Sequence, residues 1–146
     1  MHKPIRSSLD TASIITSLAE PRALCALGPL AGRFIHSLRL VALHERVKRD
    51  PVPELTARLG GVEIAAKALA LSQAITASWP ENIHVSRFCC QRLTHDEATI
   101  GAMIDAVCQR DRPTFDQQVE GFIRRERAER LWEAALDLVA AECRAA

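Results

Sequence analysis

The sequence predicts an all-α fold, an irregular bundle of five to six helices, and three observations support that prediction. Apolar residues recur at helical spacing in several segments, and no strand-like alternation of useful length is present. Aromatic residues make up only 4% of the chain and tyrosine is absent, so Leu, Ile, Val and Ala must build the core. A chain of 146 residues, 48% of them hydrophobic, is long and apolar enough to fold as one domain.

The beginning of the chain carries few structural signals. Residues 1–8 are predicted to form a loose N-terminus, and residues 9–146 a single helical domain. The first element of that domain is expected to be a short helix over residues 9–20, which Pro21 would end.

The first long helix is predicted over residues 29–48, after the turn signal of Gly28 and Pro29. Its apolar stripe consists of Leu30, Phe34, Leu38 and Val41. The charged residues of this helix, Arg39 included, are expected to face water. Basic residues gather in its last turn, where they interact favourably with the carbonyl end of the helix dipole.

Two further helices are predicted in the middle of the chain. Asp50 can cap the first, with Pro51 or Pro53 in its first turn. Residues 54–59 then give one or two helical turns, and the glycines of positions 60–61 end the helix. The second is expected over residues 61–78 and is rich in alanine outside its apolar stripe. It ends before Pro80, because proline disfavours helical backbone at the residue that precedes it.

The last helices follow a long connection over residues 79–93, and connections of that length are often functional. The T-x-x-E sequence at positions 94–97 is a capping box, which predicts a helix over residues 95–110. Pro113 occupies a first-turn position of the next helix, and a final helix is expected over residues 125–143.

The charge balance argues against nucleic acid and anionic membranes as partners. The chain carries 19 Lys and Arg against 18 Asp and Glu, a net charge of +1. Its most apolar stretch contains Arg33, His36 and Arg39, which a membrane span would have to bury. Polar residues also interrupt the apolar part of the N-terminal segment, unlike a secretory signal. We therefore predict no membrane segment and a cytoplasmic protein whose five cysteines are reduced.

The stretch RFCCQRLTHDE, residues 87–97, contains the strongest candidate site. His84, Cys89, Cys90 and His95 are spaced H-x4-CC-x4-H, and imidazole with thiolate is the ligand set that zinc prefers. The spacing differs from the familiar C-x2-C type, and two adjacent cysteines rarely both turn toward one ion. A structural zinc site is therefore one hypothesis, and no other cofactor is expected.

The adjacent thiols of Cys89 and Cys90 also permit a redox hypothesis. Arg87 and Arg92 lie close in sequence, and positive charge lowers the pKa of a thiol and favours the reactive thiolate. A disulfide between adjacent cysteines would close a strained small ring that is easily reduced. In the structural interpretation, one cysteine packs as a small apolar residue and the other is incidental.

The same block carries a resemblance. Residues 89–107 read CCQRLTHDEATIGAMIDAV. The residues that carry the resemblance are Cys89, Cys90, Arg92, Leu93, Thr94, Asp96 and Glu97. This run resembles an uncharacterised family of small helical alphaproteobacterial proteins, in which a cysteine cluster precedes an Arg-[Leu/Met]-Thr-x-Asp-Glu sequence. The resemblance covers about half of the chain and implies a small helical fold without implying a mechanism.

A protein-interaction surface is predicted around large aromatic and basic residues. These residues are Trp79, Arg87, Phe88, Arg92 and Trp132. The chain has no Gly-rich phosphate loop and no Ser-His-Asp signature, which leans against an enzyme. The leading hypothesis is therefore a regulatory or accessory module that binds another protein or a second copy of itself.

DNA binding is a second alternative, after the thiol or zinc site. Residues 54–78 have the helix-turn-helix outline, but any two helices joined by glycines share it. A recognition helix must present polar and basic side chains, and this one offers Glu63, Lys67 and many alanines. The alternative requires this helix to project from the core with a basic rim.

Overall fold

A computed structural model describes residues 22–145 and confirms the all-α prediction. Over that range the chain forms six α-helices and a short 3₁₀ helix, Leu24–Ala26. The α-helices are α1 (Pro29–Arg46), α2 (Val52–Leu59), α3 (Val62–Ser78), α4 (His95–Cys108), α5 (Arg112–Val119) and α6 (Arg125–Ala145). The loose terminus and short helix predicted for residues 1–20 lie outside the described residues.

Local capping chemistry decides where several helices begin and end. The Thr94 hydroxyl accepts from the Glu97 backbone N–H at 3.0 Å, and the Glu97 carboxylate accepts from the Thr94 N–H at 2.9 Å, which confirms the capping box. Gly60 ends α2 with a left-handed φ of 83°. Helix α2 begins at Val52, whose N–H donates to Asp50 Oδ1 at 3.0 Å, and Pro53 lies in its first turn.

The main hydrophobic core joins five of the helices, α1 and α3 to α6. Helix α3 packs most extensively against α6, and α4 packs against both α1 and α5. The largest fully buried apolar side chains of this core are Phe34, Ile35, Leu71, Ile75, Ile100, Ile104, Phe115 and Leu131. Burial of each such side chain stabilises the fold by about 1.5–3 kcal/mol relative to its exposure.

A second, smaller core lies where α1, α2 and α3 meet. Its buried members are Leu40, Val41, Leu55 and Ala65, and the ring of Phe88 packs against them from the loop between α3 and α4. This cluster holds the short helix α2 in place. It also brings a loop residue of the candidate site next to α1 and α2.

The most apolar stretch of the sequence forms α1 and is buried in the protein. From Phe34 to Val41, every residue except the half-buried His36 is buried. Within residues 22–145, no helix combines the length and the apolar character that a bilayer crossing requires.

Candidate functional site

The loop between α3 and α4, residues 79–94, carries most of the predicted site residues. It contains no helix, and its one extended pairing is the isolated bridge from Arg92 to Ala23. The backbone N–H and C=O groups of an irregular loop still need hydrogen-bond partners. In this loop, the side chain of Arg39 of α1 supplies donors to several of the backbone carbonyls.

The prediction that Arg39 faces water is wrong, because its side chain is only 1% exposed. It forms a buried ion pair with Glu97, with Nε 2.7 Å from Oε2 and Nη2 3.0 Å from Oε1. The remaining donors reach the carbonyls of Phe88, Cys90 and Arg92 at 3.4, 2.8 and 3.1 Å. The five N–H groups of the guanidinium thus all find acceptors, which is the condition for burying this charge.

Glu97 completes the same network from the start of α4. Its carboxylate is fully buried and also accepts from the backbone N–H groups of Thr94 and Ser86, at 2.9 and 3.2 Å. Burial opposes ionisation, but the hydrogen bonds from Arg39, Thr94 and Ser86 outweigh it and hold the pKa of Glu97 below its usual 4.5. The pair is therefore charged at neutral pH and ties both halves of the loop to α1.

The two adjacent cysteines differ in exposure. Cys89 is exposed, whereas Cys90 is half-buried and its Sγ accepts from the Arg92 N–H at 3.4 Å. All five cysteines are free thiols. Cys89 therefore has the solvent access that the redox hypothesis requires, and thiol chemistry at this pair stays a prediction.

The two histidines of the zinc hypothesis have exposed side chains. The backbone of His84 holds the loop against the start of α4. Its N–H donates to Asp96 Oδ2 at 2.8 Å, and its carbonyl accepts from Thr94 Oγ1 at 2.6 Å. In the part of the chain that the structure describes, no three His, Cys, Asp or Glu side chains are grouped so that they could hold a metal ion. The zinc site stays a prediction, without a preassembled ligand set.

The aromatic rings of the predicted interaction surface belong to different contacts. Trp79 and Trp132 are half-buried, each with an edge-to-face partner at 5.1 Å, Phe122 and Phe115 respectively. Phe88 instead lies beside the His36 ring, with the centroids 5.4 Å apart. The two arginines of the predicted set, at positions 87 and 92, are exposed. Of the three predicted rings, Phe88 borders a groove.

This groove, named here the Phe88 groove, has a volume of about 220 Å³ and lies between α1, α2 and the loop. Its apolar floor is formed by Leu40, Leu55 and Leu59. Its rim carries Arg33, His36, Arg58 and Phe88. The groove therefore combines an aliphatic floor with a positively charged, aromatic rim.

The charged side chains around the Phe88 groove interact with its two rings, Phe88 and His36. The guanidinium carbon of Arg58 lies 4.7 Å from the centre of the Phe88 ring, a cation–π distance. Burial lowers the pKa of His36, and the nearby charges of Arg39 and Arg58 lower it further, against a weaker opposing effect of Glu97. His36 is thus neutral at pH 7, and an arriving negative charge would favour its protonation.

A short exposed apolar stripe, Leu43 and Val47, lies at the C-terminal end of α1. Leu43 is three positions after the buried Leu40 of the groove floor, on the same face of the helix, and Val47 directly follows the last helical residue. Leu43 is 46% exposed and Val47 57% exposed. Basic residues surround the end of this stripe, namely Arg46, Lys48 and Arg49, all of them exposed.

No protein-family model, curated protein or solved structure matches this chain. The function must therefore be argued from the chemistry of the site. The resemblance of residues 89–97 to the alphaproteobacterial family stays a prediction.

The geometry of α3 is unfavourable to the DNA-binding alternative. Its Ile64 and Leu71 side chains are buried, and the helix makes its largest contact with α6. Its exposed Glu63 pairs with Arg144 of α6, and Lys67 is its one basic residue. The helix thus packs one face into the core, and it carries no basic rim.

Proposed function

We propose that this protein is a helical interaction module that binds an acidic segment of a partner protein in the Phe88 groove. The observation that carries the proposal is the combination of an apolar floor with a cationic rim, next to an exposed apolar stripe on α1. The proposal includes a cytoplasmic location, since five free thiols suit a reducing compartment.

The size of the groove favours a protein partner over a metabolite. Small-molecule pockets usually measure about 300–1,000 Å³, and the Phe88 groove measures about 220 Å³. That volume suits one large apolar side chain. Leu43 and Val47 would extend the contact along α1, as anchor residues in protein interfaces are surrounded by further apolar area.

The charge of the rim favours an acidic partner. Arg33 already pairs with Glu142 at 2.6 Å, and Arg58 with Glu54 at 3.8 Å, but both arginine side chains are about half exposed. Exposed pairs of this kind contribute about 0–1 kcal/mol, so they compete weakly with carboxylates brought by a partner. The chain as a whole is nearly neutral. The positive charge at the rim of the Phe88 groove would orient an acidic segment as it approaches.

A selection from a random peptide library displayed on phage, with the full chain as bait, tests the proposal. We expect enriched peptides to combine one large apolar residue with several Asp or Glu residues. Their binding should fall in Phe88→Ala and in Arg58→Glu, which remove the aromatic wall and reverse a rim charge. Arg125→Glu, an exposed site on α6, is the matched charge control.

Three results would contradict the proposal. These are no enrichment, enrichment of basic peptides, and binding that is insensitive to Arg58→Glu. A second copy of this chain is the other candidate occupant, and sedimentation analysis tests it. Self-association that Phe88→Ala abolishes, together with no peptide enrichment, would replace the acidic segment with a dimer.

A further inference from the structure

A larger cavity lies on the other side of α1 from the Phe88 groove. Its volume is about 450 Å³, and it opens between α1, α3 and loop residues 82–85. Its α1 residues begin at Leu38, two positions and 200° around the helix from His36 of the groove. Unlike the groove, this cavity has a volume within the range of about 300–1,000 Å³ that is typical of small-molecule sites.

Part of the cavity wall is aliphatic. Leu38 and Val41 of α1 and Ile83 and Val85 of the loop line it. Among residues 22–145, those that line this cavity include no aromatic ring. Such a wall suits a branched aliphatic group of a few carbons better than a planar ring.

The polar part of the cavity carries one charge of each sign. Glu45 and Arg46 are adjacent at the end of α1, both exposed and both lining the cavity. Neither makes an ion pair with another residue between positions 22 and 145. Thr76 donates its hydroxyl proton to the Ser72 carbonyl at 3.0 Å, which leaves the oxygen lone pairs for a ligand donor.

We propose that this cavity binds a small zwitterion with a branched aliphatic side chain, the chemistry of a free aliphatic amino acid. The carboxylate of Glu45 and the hydroxyl oxygen of Thr76 accept from the ligand's ammonium group. The guanidinium of Arg46 donates to its carboxylate, and the aliphatic group packs on Leu38 and Ile83. A ligand with a single charge would make only one of these two favourable charge contacts.

Amide NMR titration of the full chain tests this site. We expect L-leucine, L-isoleucine or L-valine at millimolar concentration to shift the amides of residues 82–85 in a saturable way. N-acetyl-L-leucine and L-leucinamide, each lacking one charge, should bind about threefold to fivefold more weakly. Glycine, which lacks the aliphatic group, should also bind more weakly.

Variants of the charged pair locate the binding. Glu45→Gln and Arg46→Gln should each weaken binding of the amino acid about threefold to fivefold. Both side chains are exposed, so neither change should affect folding. Glu133→Gln, at an exposed position of α6, is the control. The inference is overturned if none of the three amino acids binds saturably, or if N-acetyl-L-leucine binds as well as L-leucine.

Discussion

At the scale of single residues, the guanidinium of Arg39 determines the shape of the loop. We expect Arg39→Leu to destabilise the protein by about 3–5 kcal/mol, because the carboxylate of Glu97 would remain buried without a partner. Chemical denaturation measures this loss. Arg33→Leu, which breaks the exposed pair with Glu142, should cost no more than about 1 kcal/mol.

The double variant Arg39→Leu/Glu97→Leu separates the charge from the packing. It removes both buried charges, so it should recover part of the stability that Arg39→Leu loses. Equal losses in Arg39→Leu and Arg33→Leu would contradict the role given to the buried pair.

Glu97 should make stability depend on acidity. Its pKa is lowered in the folded protein, so its contribution is complete above the ordinary value of 4.5 and is lost as the pH falls through the lower folded value. We expect the free energy of unfolding of the wild type to decline below about pH 4.5 more steeply than that of Glu97→Gln. Denaturant titrations at several acidic pH values compare the two slopes, and parallel slopes would exclude this contribution.

The sequence could not reveal this pair. A lone arginine on an amphipathic helix usually faces water, and Glu97 already has a sufficient local explanation in the capping box. The two residues are 58 positions apart, so no local pattern connects them. The one local signal is that Arg39 stands between Leu38 and Leu40 in the most apolar stretch of the sequence.

At the scale of elements, helices are predictable and the loop is not. Helix boundaries depend on nearby signals, such as Gly60 after α2 and Pro80 after α3, and the sequence contains them. The course of residues 79–94 depends on donors from α1, which only the folded protein brings near. The Phe88 groove likewise draws its residues from three separate segments, so sequence reasoning found Phe88 and missed His36 and Arg58.

The spacing of Glu120 and Arg124, which would allow an i,i+4 ion pair in a continuous helix, shows another limit. Such a pair needs continuous helix, but α5 ends at Val119, and Gly121 takes a left-handed φ of 90°. Within the continuous helix α5, by contrast, Arg112 pairs with Asp116 four positions on at 2.8 Å, and it also reaches Glu129 of α6 at 2.5 Å.

Thr94 links α4 to the loop and gives a prediction at the element scale. Its hydroxyl caps α4 and also donates to the His84 carbonyl, so Thr94→Ala should cost about 1 kcal/mol or more. Thr94→Ser keeps the hydroxyl and should retain most of the stability. Thermal unfolding compares the two variants, and an equal loss in both would assign the effect to the methyl group.

At the scale of the whole molecule, binding of an acidic partner should be linked to protonation. His36 is neutral at pH 7 because its pKa is lowered, and a carboxylate in the groove would raise that pKa. We expect affinity for a selected acidic peptide to rise as the pH falls from about 7.5 to about 5.5, across the range in which histidine titrates. Fluorescence anisotropy with a labelled peptide measures the change.

His36→Gln is the control for that linkage. In this variant, the affinity for the peptide should no longer depend on pH. Salt should still weaken the binding, because Arg33 and Arg58 remain charged. A pH profile that is unchanged in His36→Gln would place the responsible group elsewhere.

The distance along the chain between Arg39 and Glu97 has a kinetic consequence. Bringing together groups 58 positions apart costs chain entropy before any contact repays it, so this pair forms after the local turns of α1 and α4. The carbonyls of Phe88, Cys90 and Arg92 acquire their buried donor only then. In refolding experiments, substitutions at Phe88 should therefore accelerate unfolding and leave the folding rate nearly unchanged. The Phe88 groove, where we propose that a partner binds, would be the last part of the protein to form during folding.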